Sequence, residues 1–193
     1  MTVGTMLAAF AALPAPDGDL SAWAARVGTP DGDFPLIGTG TRAETYTALL
    51  WNGERCARAG LGQESALTLV GLAVGAAHGR TAVELSDAVA AGAAYPAPRA
   101  TVSTGVLAAT VCAARLARVP EDELPALLDL AASLMVIGPP GVAPGHDPAA
   151  AWLALRARDA GIVGMSGALA HTVSLLSDDP SDVDVAELVR ALR

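Results

Sequence analysis

Blocks of leucine, valine and alanine recurring at roughly three- to four-residue spacing alternate along the chain with short blocks of Gly, Pro, Asp and Ser. The first kind of block is the mark of a helix that buries a face; the second supplies the residues that stop one. The pattern predicts a first helix over 1–13, stopped by Pro14-Ala15-Pro16-Asp17-Gly18, and a second over 20–27 with Ser21 as its cap. Residues 29–41 are rich in Gly and Pro and read as a long loop. A helix resumes near Ala43 and runs toward Arg58. Residues 64–77 are apolar on nearly every side, which predicts an interior helix ended by His78-Gly79.

Thr81 followed by Glu84 is a capping-box pattern opening a helix through Ala94, which Pro96 and Pro98 stop. Ser103 or Thr104 starts a helix to Val119, and the acids at 121–123 open another that ends near Met135. The stretch 138–145 carries three prolines, which remove donors and fix φ, so it reads as a loop. Helices over 148–160 and 166–176 follow, then a polar linker and a short terminal helix over 185–192. The prediction is an all-α fold, a compact and largely antiparallel multi-helix bundle in a single domain over 1–193.

Composition sharpens this picture. The 193 residues suit one core, since a chain this long buries roughly 70% of its unfolded surface. With 43 alanines and only 4% aromatic residues there is little to fill a β-sandwich, and helix is favoured. All twelve basic residues are arginine. The lack of lysine excludes a Schiff-base nucleophile, a P-loop lysine, a lysine base and pyridoxal phosphate linkage. The net charge of −8, with arginines scattered singly, offers no continuous positive face for phosphates, so no nucleic-acid partner is expected. Mean hydropathy is +0.44, yet every apolar stretch is broken before the ~20 residues a bilayer needs, and no basic segment precedes the first one. A cytoplasmic protein without a membrane partner is the expectation. Cys56 and Cys112 show no C-x-x-C spacing and read as small buried side chains; with no metal or dinucleotide motif, no cofactor is expected.

The stretch L-I-G-T-G-T-R-A-E-T-Y-T-A-L-L-W-N-G-E-R-C-A-R-A from Leu36 resembles a "G-T-G…N-G-x-x-x-H-A" region of the MmgE/PrpD family, which includes 2-methylcitrate dehydratase and cis-aconitate decarboxylase. The helices over 65–77 and 82–94, the S-T-G-V-L-A-A-T-V-C-A-A-R-L-A run from Ser103, L-L-D-L-A-A-S-L from Leu127, and A-P-G followed by a helix and G-I-V-G at Gly161 fall in that family's order. The likeness covers most of residues 5–175 and implies the family's helical domain without its α/β lid, and a homodimer. It also implies a loss of proton chemistry. Where the family carries acid, His and Lys, this chain has Ala57 to Gln63 with Glu64 as the acid that remains, Val102 before Ser103-Thr104-Gly105, and Pro140-Gly141-Val142-Ala143-Pro144-Gly145.

Loops 60–64, 99–104 and 138–147 are therefore expected to line a pocket suited to a small apolar molecule. The function expected is that of a cofactor-independent cyclase or isomerase shaping an unsaturated, polyketide-like guest. A lyase acting on a carboxylic acid, and a non-catalytic partner subunit, are the alternatives. Glu64 is a candidate acid or base if desolvated, or a helix-start acid helped by the dipole. His146 with Asp147 is a candidate base and orienting acid, although Asp147 before Pro148 also reads as a helix cap. Arg99 is a candidate for holding a carboxylate or enolate, and Arg55 and Arg156 are weaker ones. Gln63, Ser103 and Thr104 are candidate polar contacts, against capping or solvated roles. Trp51, Tyr95 and Trp152 either line the pocket or pack in the core.

Overall fold

The computed structural model describes residues 2–95, 105–136 and 145–176, and these are mostly helical. In order they form α1 (Val3–Ala11), α2 (Gly18–Val27), a two-stranded antiparallel hairpin of β1 (Phe34–Pro35) and β2 (Arg42–Ala43), α3 (Thr45–Arg58), α4 (Gln63–Ala77), α5 (Ala82–Ala94), α6 (Gly105–Ala117), α7 (Leu124–Ala132), α8 (His146–Asp159) and α9 (Ala168–Leu176). The all-α class read from the pattern is the class observed. No helix among the described residues is long and apolar enough to cross a membrane.

Two apolar masses hold the bundle together. One gathers α4 to α9 around α6, nearly all of whose residues are buried. The other joins α1, α2, the hairpin and α3. Leu72 and Trp152 pack against both. Small residues let the central helices approach closely: a Cβ on Gly71 would lie 2.6 Å from Leu85 Cδ1, and one on Gly92 would lie 2.8 Å from the Ala108 carbonyl oxygen. Alanine and glycine at these interfaces account for a helical core built with so few aromatics.

Three helices start at the same end of the molecule. Cys112 on α6 approaches the Leu67 carbonyl on α4, and Arg80 just past α4 donates to the Leu116 carbonyl near the end of α6, so α4 and α6 run parallel. α3 is antiparallel to α8, since its late residue Gly53 abuts Gly145 while its early residue Tyr46 shares a cleft with Trp152 and Arg156. It is antiparallel to α4 too, because Tyr46 shares that cleft with Ala73 and Ala77. The starts of α4, α6 and α8 thus lie together, with the end of α5 beside them.

Several boundaries differ from the pattern. Asp17, not Ser21, precedes α2. Residues 120–123 form a turn, so α7 begins later than expected and the acids at 121–123 lie ahead of it. α8 begins at His146, two residues before Pro148, so Asp147 sits inside its first turn rather than capping it. The stretch 29–41 is not all loop, because it includes β1 and leads into β2. Its shape comes from side chains elsewhere. The Arg42 guanidinium donates to the carbonyls of Gly32 and Asp33 (both 2.6 Å). Buried Asn52 on α3 accepts from the Ile37 amide and donates to the Pro35 carbonyl (both 2.8 Å). Buried Arg55 donates to the Ile37 and Pro14 carbonyls and lies 5.4 Å from the Trp51 ring centre.

Candidate functional site

The hairpin pinned by Asn52 and Arg55 forms one wall of a cleft of about 640 Å³. Asp33 and Phe34 come from the hairpin, Glu44, Thr45 and Tyr46 from the start of α3, Ala73, Ala76 and Ala77 from the end of α4, and Trp152, Leu153 and Arg156 from α8. The volume is in the range that small-molecule sites occupy. Alanine methyls and three aromatic rings make most of the surface apolar, while the charged groups come from the hairpin, the α3 cap and α8.

Each charged group has a defined setting. The Glu44 carboxylate caps α3, accepting from the Tyr46 amide (3.0 Å) and the Thr47 amide (3.1 Å), so it is fixed in place. Asp33 is exposed, and its carboxylate has no hydrogen-bond partner among the described residues. The Arg156 guanidinium lies 5.9 Å from the centre of the Trp152 ring and reaches Asp159 at 3.4 Å. Among the described residues no cluster of His, Cys, Asp and Glu could hold a metal ion.

The residues singled out from the sequence are distributed differently. Trp152 lines the cleft, half-buried, between the two apolar masses. Trp51 does not: it is fully buried, and its indole N–H donates to the Leu20 carbonyl at 3.0 Å, so it packs α3 onto α2. Glu64 and His146 stand at the opposite end, at the starts of α4 and α8. The Glu64 carboxylate turns back over Gly62 and has no hydrogen-bond partner among the described residues. Gln63 is exposed beside it. The His146 Nε2 lies 2.6 Å from the Leu134 carbonyl, which can only accept, so that nitrogen carries a proton and Nδ1 is the basic position of the neutral ring. Asp147 turns toward α6, its Oδ2 lying 2.0 Å from where a Cβ on Gly105 would stand.

Tyr95 closes α5 at that same end. It is buried, its hydroxyl has no hydrogen-bond partner among the described residues, and burial pushes its pKa up to about 12. Arg99, Ser103 and Thr104 lie outside the described residues, as does most of the 138–147 loop. Cys56 and Cys112 are free and buried, and desolvation raises their thiols to about 11 and about 12. Neither is a nucleophile at neutral pH.

The sequence reading missed Asp33, Phe34, Glu44 and Tyr46. One signal for them is present. Buried Phe34 and Leu36 flank exposed Pro35 ahead of Gly38-Thr39-Gly40, and buried Ala43 follows, which is the arrangement of a short hairpin around a glycine turn. No family model matches this chain, and neither does a curated protein or a solved structure.

Proposed function

We propose that this chain is a cofactor-independent small-molecule enzyme, a cyclase or isomerase, that shapes an unsaturated and largely apolar guest in the cleft between the hairpin and α8. One observation carries the reading: a cleft of about 640 Å³ walled by Phe34, Tyr46 and Trp152 over the alanines of α4. Flat rings and methyl groups favour a conjugated guest by contact area, and a shaped wall lowers a barrier by holding a flexible chain near its reactive form. The scaffold is proposed to derive from one similar to the MmgE/PrpD helical domain. As parts of the same proposal the protein works in the cytoplasm, with which its two free thiols agree, and as a homodimer, for which exposed Ile162, Val163 and Met165 supply an apolar face.

The test compares the wild-type protein with Ala76→Trp, which fills the cleft from an exposed position on α4. Both are incubated with a cell extract and examined by native mass spectrometry, with the released molecule analysed before and after turnover. Retention of a small molecule by the wild type and its loss in the variant is the expected result. A product of unchanged mass supports cyclisation or isomerisation, whereas loss of the mass of water or carbon dioxide overturns them in favour of a lyase. Equal retention by both proteins, or by neither, overturns the cleft as the site.

A further inference from the structure

The charges around the cleft say more about its guest, on the assumption that the cleft is the guest site. Asp33 and Glu44 place two carboxylates on the hairpin side. Opposing them is Arg156, which shares Asp159 with Arg158 (3.4 and 3.2 Å), while Arg158 also pairs with Glu123 (2.5 Å), so two guanidiniums face two carboxylates there. The end of α4, where Ala76 and Ala77 line the floor, adds the negative pole of a helix, while the positive pole at the start of α3 is met by Glu44. The protein's net charge of −8 makes its long-range field negative as well.

The aromatic wall answers the same way. Ring faces attract cations, and the Trp152 ring already has one, the Arg156 guanidinium 5.9 Å from its centre. Because that ring already holds a cation, an incoming one is steered to the carboxylates rather than to Trp152. We propose that the cleft binds molecules carrying a protonated nitrogen on an unsaturated or aromatic body, the nitrogen directed to Asp33 and Glu44 and the body laid against Tyr46 and Trp152. Asp33 is the principal counter-charge, because Glu44 spends both oxygens on the start of α3. An anionic guest is disfavoured at the same place, the reverse of the multiply anionic acids handled by the family that the sequence resembles.

Three probes of similar shape isolate the charge: 3-phenylpropan-1-amine, neutral 3-phenylpropan-1-ol and 3-phenylpropionate. Their binding is measured by titration calorimetry at low and at moderate salt, to the wild type, Asp33→Asn and Ala76→Trp. The amine is expected to bind about fivefold more tightly than the alcohol, the size of one exposed ion pair. 3-Phenylpropionate is expected to bind most weakly. Asp33→Asn removes most of the amine's advantage and leaves the alcohol unchanged, and added salt narrows the gap between them. Asp33 is exposed, so its replacement does not threaten the fold. If wild type binds amine and alcohol equally, or 3-phenylpropionate best, the preference for a cation is refuted while the cleft stands as a binding site. If no probe binds, or Ala76→Trp binds all three as wild type does, the cleft itself is refuted as the guest site.

Discussion

Gly53 and Gly145 meet backbone to backbone, and the fit leaves no room for a methyl group. A Cβ on Gly53 would lie 2.5 Å from Gly145 Cα, an atom that cannot swing aside. Alanine gains helix propensity over glycine by roughly 1 kcal/mol, but a clash of this kind costs about 1–3 kcal/mol and must shift α8 as well. Gly53→Ala is therefore expected to lower stability in chemical denaturation, and an unchanged or raised midpoint would contradict the α3–α8 contact. The buried cysteines make a second residue-level case. In the unfolded chain a thiol ionises near roughly 8.5, whereas burial holds Cys56 and Cys112 at about 11 and about 12 in the fold. The folded state keeps these protons while the unfolded state gives them up. Their contribution is thus intact below about pH 8.5 and falls progressively as pH rises toward 11–12. Ellman's reagent at neutral pH should find both thiols unreactive until denaturant is added; prompt reaction of either would show that the core around it opens.

At the scale of elements, the capping box of α5 was legible because its chemistry is local: Thr81 and Glu84 need only each other. Both of its bonds form, the Glu84 amide donating to the Thr81 hydroxyl oxygen (3.3 Å) and the Thr81 amide to the Glu84 carboxylate (2.9 Å). The Thr81 amide and hydroxyl, each donating to the carboxylate at 2.9 Å, with help from Arg118, hold the Glu84 carboxyl down at about 2. Its stabilising effect is present above the normal carboxylate range and is lost as pH falls through about 2. Thr81→Ala should cost about 1 kcal/mol at neutral pH, measured by denaturant titration, with the difference between the two proteins shrinking in acid. A difference independent of pH would separate the box from Glu84. The interior helix α4 was equally legible, since its apolar residues run around the whole circumference. The hairpin was not, because besides Arg42 within it, part of what shapes it lies outside: Asn52 and Arg55 are more than a dozen residues downstream and read as ordinary helix positions. The candidate site inherits that difficulty, since its wall is the hairpin, and Trp152 alone of the aromatics proposed to line a pocket is found lining the cleft.

For the whole molecule, an excess of eight negative charges works against compaction. Screening relieves it. The melting temperature should rise as sodium chloride is raised from about 10 mM toward physiological ionic strength, where the Debye length shortens to about 8 Å; a fall would mean that pairs such as Arg58–Asp19 (2.7 Å) outweigh the repulsion. The proposed dimer makes its own prediction. Val163, 80% exposed between Ile162 and Met165, is an expensive place for a charge only if something covers it. Val163→Asp should convert a dimer to a monomer in analytical ultracentrifugation, and a wild-type protein that sediments as a monomer removes the homodimer from the proposal.

Trp152 belongs to neither apolar mass alone, and that shared allegiance reaches past its neighbourhood. A visitor resting on its indole would brace the amino-terminal helices and the carboxy-terminal ones in the same act. Occupancy should slow hydrogen exchange in α1 and α6 alike, although neither helix borders the space the visitor fills.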